Sequence, residues 1–224
     1  MPNAPGTVLS LNQLRLRYPG SPSWTLDGLD LSLQSGDRLA LVGPSGCGKS
    51  TVARAALQLL PPGSCCEGDL LLNGQDPRQL SRPALRALRG EAVGLVFQDP
   101  MTRLNPLMTV GGHLLDTFAA HRPGMGHHER KDRAESLLEQ VGIGAERFRA
   151  YPHEFSGGMR QRLAIALAIA LAPPLVIADE PTTSLDVAVA GQVMAVLRNL
   201  CEELGSALLL ITHDLAMANR WCED

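Results

Sequence analysis

The segment VGPSGCGKST, residues 42–51, decides the fold. Three glycines, a proline and a lysine crowd the joint between two regular elements. Before it, RLALVG at 38–43 is a continuous apolar run, as in a strand covered on both faces. After it, residues 50–60 read as a helix closed by Pro61 and Pro62. Gly43, Gly48, Lys49 and Ser50 fit G-x-x-x-x-G-K-[ST], and strand before plus helix after is the context that gives this pattern meaning. With no side chains at Gly43, Gly46 and Gly48, successive backbone N–H groups can wrap around a phosphate. The positive end of the helix adds to that field. Lys49 supplies a full charge for β- and γ-phosphates, and the Ser50 hydroxyl can ligate Mg²⁺. Pro44, Ser45, Cys47 and Thr51 complete the loop, Cys47 through its backbone N–H. The competing reading is an ordinary glycine-rich turn.

Composition sets the frame around this loop. The 224 residues are 45% hydrophobic and 19% charged, with a formal net charge of -3, the profile of a globular chain. A slightly acidic balance gives no general pull toward DNA or RNA. Five cysteines without a CxxC pair suit a reducing compartment, and Cys65–Cys66 reads as two free thiols. MPNAPGTVLS at 1–10 lacks the basic and apolar regions of a signal peptide. The longest apolar run, LAIALAIALA at 163–172, has ten residues, against about 20 needed to span a bilayer. It reads as a buried helix.

Outward from the loop, residues 7–18 and 26–34 alternate as half-buried strands. GDLLLNG and VGLVF are further strands, and SRPALRALRG is a short helix with Ser81 as N-cap. From about 99 to 170 helical patterns take over. Strands resume at LVIAD and ALLLIT, with a helix between them. The expected fold is therefore α/β: a phosphate-loop NTPase with a RecA-like, mostly parallel sheet, an N-terminal antiparallel β subdomain and an inserted α-helical subdomain. The core would occupy about 1–98 and 171–224, and the helical insertion about 99–170.

A phosphate loop needs a carboxylate partner. LVIADE at 175–180 presents Asp179 and Glu180 at a buried strand's end, and adjacent strand residues point to opposite sides. Asp179 suits the Mg²⁺ shell; Glu180 suits the general base that orients and deprotonates water. A solvated acidic turn is the alternative.

FSGGMRQR at 155–162 resembles the signature of ATP-binding cassette (ABC) ATPases. The order of motifs is also that family's: phosphate loop, Gln98 in VFQDP, signature, IADEPTTSLD, then His213 in ITHD. The resemblance covers essentially the whole chain. It implies that Tyr18 stacks on adenine, that Gln98 contacts Mg²⁺ and the attacking water, and that His213 contacts the γ-phosphate. It implies that Ser156, Gly157, Gly158 and Met159 cap the γ-phosphate bound by a partner subunit, with Asp186 in the loop crossing the interface. Two chains, identical or not, then sandwich two ATP molecules.

FQDPMTRLNPLMTV, YPHEFSGGMRQR and IADEPTTSLDV resemble the peptide/nickel importer branch, and Met159 fits it. The implied role is an ATP-hydrolysing transporter subunit, cytoplasmic and peripheral on the inner face of the plasma membrane. Permease subunits and, indirectly, a substrate-binding protein are the implied partners, with residues 99–118 in the permease groove. Only ten residues follow Asp214, where the family pattern continues, so the C-terminal end of the fold is expected to be truncated. His113, His121, His127 and His128 lack metal-ligand spacing and read as a solvated loop. The rival readings are a soluble ABC ATPase of DNA repair or translation, and another phosphate-loop enzyme such as a small-molecule kinase.

Overall fold

A computed structural model describes residues 6–222. The expectations for residues 1–5 and for Glu223 and Asp224 lie outside it. Two sheets organise the chain. The strands β1 (Thr7–Arg17), β2 (Leu26–Gln34) and β4 (Cys65–Leu72) form an antiparallel sheet of order β2-β1-β4. The strands β3 (Arg38–Val42), β5 (Val93–Val96), β6 (Leu175–Asp179) and β7 (Ala207–Thr212) form a parallel sheet of order β3-β7-β6-β5. The antiparallel subdomain and the parallel core are thus both as the sequence predicts.

Alternation along the central strands explains how the layers hold together. Leu175 and Ile177 of β6, with Leu209 and Ile211 of β7, face a core shared with Leu9, Leu16 and Leu70 of the antiparallel sheet and Val52 of the helix α1 (Lys49–Ala56). Val176, Leu208 and Leu210 face the opposite way. There they pack with Phe118 of α3 (Val110–His121), Leu138 of α4 (His127–Gln140), Leu163 of α5 (Gly157–Ile169) and Leu197 of α6 (Val187–Leu204). All these residues are fully buried, so strands that read as continuous apolar runs do have both faces covered. The helical middle shares one core with the sheet.

Three local readings change. The helix α1 ends at Ala56, before Pro61, because the chain turns left-handed at Gln58 (φ 51). The carbonyls just past its end are taken by Arg89 of α2 (Arg82–Glu91), whose Nε donates to Leu57 O at 2.9 Å and Nη2 to Gln58 O at 2.9 Å. Strand β4 begins earlier than GDLLLNG suggests, at the two cysteines, and all five cysteines are free. The buried apolar helix α5 ends at Ile169, and none of the described helices is long and apolar enough to cross a membrane. Ser81 does cap α2, accepting from Ala84 N at 3.4 Å.

Candidate functional site

The carboxyl ends of the parallel strands carry the candidate residues, the usual place for a ligand in an open α/β sheet. Between β3 and α1 the loop turns through Gly46 (φ 83) and Gly48 (φ 101), a backbone region that side chains disfavour. A Cβ at Gly48 would also lie 2.7 Å from Thr25 O, so this position has no room for one. Lys49 is 8% exposed and folds back into the loop, where Nζ donates to Gly43 O at 2.7 Å and Pro44 O at 2.9 Å. Its charge is thereby held inside a ring of backbone. Ser50 donates to Asp179 Oδ1 at 2.8 Å, joining α1 to the end of β6.

Burial pushes the Asp179 carboxyl above the ordinary 3.8, opposed by the Ser50 hydrogen bond and raised further by the neighbouring Glu180 charge. A carboxyl that binds its proton more tightly folded than unfolded removes stability as pH climbs from 3.8 through its raised value. Asp179→Asn is therefore expected to melt higher than the parent at pH 7 without nucleotide or Mg²⁺, with the gap narrowing toward acid. Melts across pH check this; an unchanged or lower melting temperature at pH 7 counts against it.

Glu180 follows β6 but is not part of it. Its φ of 50 bends the chain left, and its N–H donates to Ile211 O at 2.9 Å. Asp179 and Glu180 do diverge, through this turn rather than through the strand alternation expected from sequence. The Glu180 carboxylate is 12% exposed and lies 2.7 Å (Oε1) and 2.8 Å (Oε2) from His213 Nδ1. His213 is fixed by its place between β7 and α7 (Leu215–Trp221), whose N-terminus Asp214 caps by accepting from Ala216 N and Met217 N.

Gly46, Gly48, Lys49, Ser50, Glu180 and His213 line one cleft of about 450 Å³, together with Tyr18 and Gln98, and Asp179 joins it through Ser50. Tyr18 stands just past β1 with its hydroxyl 3.1 Å from Thr51 Oγ1, and Arg54 Nη1 donates to it at 3.3 Å. Next to Gln98, Phe97 O accepts from the buried Gln161 Nε2 at 3.3 Å, tying this segment to α5. Three lining residues, Thr25, Arg54 and Thr183, escape the sequence reading. Arg54 had a usable signal, four residues after Ser50 and so on the same helix face. Thr183 had none, because the turn that aims it was not foreseen.

The signature residues do not line this cleft. Ser156 caps α5, accepting from Met159 N at 3.3 Å, and Gly157 is exposed, so the helix start faces outward. Gly158 is buried against α6, where a Cβ would come within 2.5 Å of Val189 Cγ1. Asp186 caps α6 by accepting from Val189 N at 3.0 Å, so signature and Asp186 loop pack as one unit. Of the histidines, His113 is engaged by Thr109 O and Asn105 N, and His121 lies 3.5 Å from Glu91.

A glycine loop with an enclosed lysine, a serine paired to a strand-end aspartate and a glutamate–histidine pair together define a phosphate-loop nucleotide-binding protein. The family model described as "ABC transporter" matches residues 26–183, and the chain belongs to that family as an ATP-binding cassette, its ATPase class. The chain is 39% identical to the oligopeptide transport ATP-binding protein OppD of Salmonella typhimurium, covering 99% of this chain and 67% of that protein. It is 42% identical to OppD of Bacillus subtilis over 94% of this chain and 60% of that one. It is 41% identical to the probable D,D-dipeptide transport ATP-binding protein DdpD of Escherichia coli, over 96% of this chain and 67% of that one. The chain thus spans about two thirds or less of these relatives' length. Among solved structures, the dimeric post-hydrolysis cassette MJ0796 bound to ADP and Pi superimposes with a TM-score of 0.82 at 30% identity, over 96% and 91% of the two chains. The structure of cbiO1 from Clostridium perfringens gives a TM-score of 0.82 at 27% identity, over 97% and 83%.

Proposed function

We propose that this chain binds and hydrolyses ATP as the motor subunit of a transporter that imports peptides, with nickel as the other cargo of the same branch. The names of its relatives favour peptides. One observation carries the reading: the site is split. The phosphate loop, Glu180 and His213 share a cleft, while a second helix start suited to phosphate, at Ser156, faces away from it. One chain has no second nucleotide to offer that surface. A partner cassette does, so two chains close head to tail over two ATP molecules.

In this reading Lys49 and the loop N–H groups hold the β- and γ-phosphates, and Tyr18 stacks on the adenine. Glu180 accepts a proton from the attacking water, Gln98 orients that water and His213 contacts the γ-phosphate. The oxygen donors of Ser50 and Asp179, already 2.8 Å apart on rigid elements, suit Mg²⁺. When bound, Mg²⁺ neutralises charge on the phosphates. Loss of the γ-phosphate removes contacts on both chains and loosens the pair, which turns chemistry into motion.

Permease subunits would take the groove beside Gln98. This apolar hollow of about 250 Å³ is lined by Leu95, Phe97, Leu104 and Leu167, and Leu107 nearby is 86% exposed. The chain would then sit on the inner face of the membrane and act on cargo only indirectly, through the permease and a substrate-binding protein. The test is the rate of ATP hydrolysis per chain across a dilution series. It is expected to fall steeply as dimers dissociate; a rate per chain that holds at every dilution sinks the split-site reading.

A further inference from the structure

His213 is one of two groups that grip the Glu180 carboxylate. The hydroxyl of Thr183 donates to Glu180 Oε2 at 2.8 Å, and the Thr183 N–H reaches back to Glu180 O at 3.4 Å. Both residues belong to one tight turn, 180–183, that starts with the left-handed backbone of Glu180. The turn is anchored from beneath. Pro181 and Thr182 are buried, and the Thr182 hydroxyl donates to Met217 Sδ of α7 at 3.4 Å. Thr183 itself lines the nucleotide cleft, with its hydroxyl turned to the carboxylate.

The two grips differ in permanence. His213 is 49% exposed and reaches Glu180 from another strand end. It holds Glu180 through Nδ1 alone, so a ring that swings toward a γ-phosphate loosens this contact. The Thr183 grip runs within one anchored turn and does not depend on where the His213 ring points. A free glutamate side chain rotates among several staggered positions, most of them unproductive for proton abstraction.

From this geometry we infer that Thr183 is a positioning residue for ATP hydrolysis, its hydroxyl holding the Glu180 carboxylate toward the attacking water whichever way the His213 ring turns. The inference rests on Glu180 being the base. Thr183→Val removes the donor at nearly constant shape, while Thr183→Ser keeps the donor and loses the methyl group. In steady-state ATPase assays of the full chain, Thr183→Val is expected to lower kcat about 10- to 100-fold with KM within about twofold, since misaimed catalytic groups lose rate rather than binding. Thr183→Ser should restore kcat to within about threefold of the parent, because the hydroxyl is what acts. In a Glu180→Gln background, single-turnover measurements should show no further loss from Thr183→Val.

Parent-like kcat in Thr183→Val overturns the inference. So does a Thr183→Ser variant as slow as Thr183→Val with an unchanged melting temperature, which would assign the effect to the methyl group. Losses that multiply in the double variant overturn it too. Parent-rate turnover by Glu180→Gln would instead overturn the base assignment, and this inference with it. A slow Glu180→Gln beside a parent-like Thr183→Val sinks the inference alone.

Discussion

Replacing Lys49 with alanine is expected to weaken ATP binding by about 100-fold, or about 3 kcal/mol, the scale of two charge-assisted hydrogen bonds to phosphate. The number follows from where the ammonium sits. Lys49 Nζ already lies 2.7 and 2.9 Å from two loop carbonyls, inside the ring that an incoming phosphate must enter. The residue is 8% exposed, so little of its attraction is lost to water. Removing it also frees Gly43 O and leaves Pro44 O with only the 3.4 Å bond from Cys47 N, so the loop is held less firmly. Fluorescent-nucleotide titration reads the affinity, and a thermal melt separates loss of binding from loss of fold. A variant that folds and binds ATP as tightly as the parent would refute the assignment of this loop as the phosphate site.

That loop was legible because its signal is local. Glycines are required where the backbone turns left at Gly46 and Gly48, the lysine must follow them, and an apolar strand must deliver them. The parallel sheet was legible for a similar reason. Runs such as Leu175–Asp179 and Ala207–Thr212 leave no polar face, and only coverage on both sides accounts for them. The tyrosine, glutamine and histidine of the cleft came from the order of motifs. Periodicity alone would have left His213 a strand-end histidine.

What stayed hidden depends on long-range partners. The helix α1 ends at Ala56 in a left-handed turn at Gln58, and Arg89, over thirty residues away, takes the carbonyls of Leu57 and Gln58 in that turn. Glu180 reads as the next strand residue, yet a left-handed turn places it against His213 and Thr183. Gly158 fits a phosphate-binding role by pattern, while in the fold it also makes room for Val189. Gln161 looks like one more polar residue of a helix, but it is buried and tied to Phe97 beside Gln98. Each of these turns on a contact or a turn that no local pattern announces. Motif order locates the phosphate loop and its partners, and tertiary contacts tie them to the rest of the chain.

The largest effect is expected from Glu180→Gln, with kcat falling about 1,000-fold while ATP still binds, the range lost with a general base. Glutamine keeps the length and planarity of the side chain, and its oxygen can still accept from His213 Nδ1, so the turn has no reason to unfold. What it lacks is an anionic oxygen that takes a proton. The phosphate loop, Ser50 and Asp179 are untouched, and ATP should load normally. With the γ-phosphate kept in place, the contacts it makes to both chains persist. A species that is transient in the parent becomes long-lived. Light scattering after size separation should then show twice the monomer mass with ATP and Mg²⁺, and monomer with ADP. Parent-rate hydrolysis would remove Glu180 from the mechanism. Slow hydrolysis without any ATP-dependent dimer would keep the base and break the link between the γ-phosphate and pairing, since the surface at Ser156 would then have met no nucleotide.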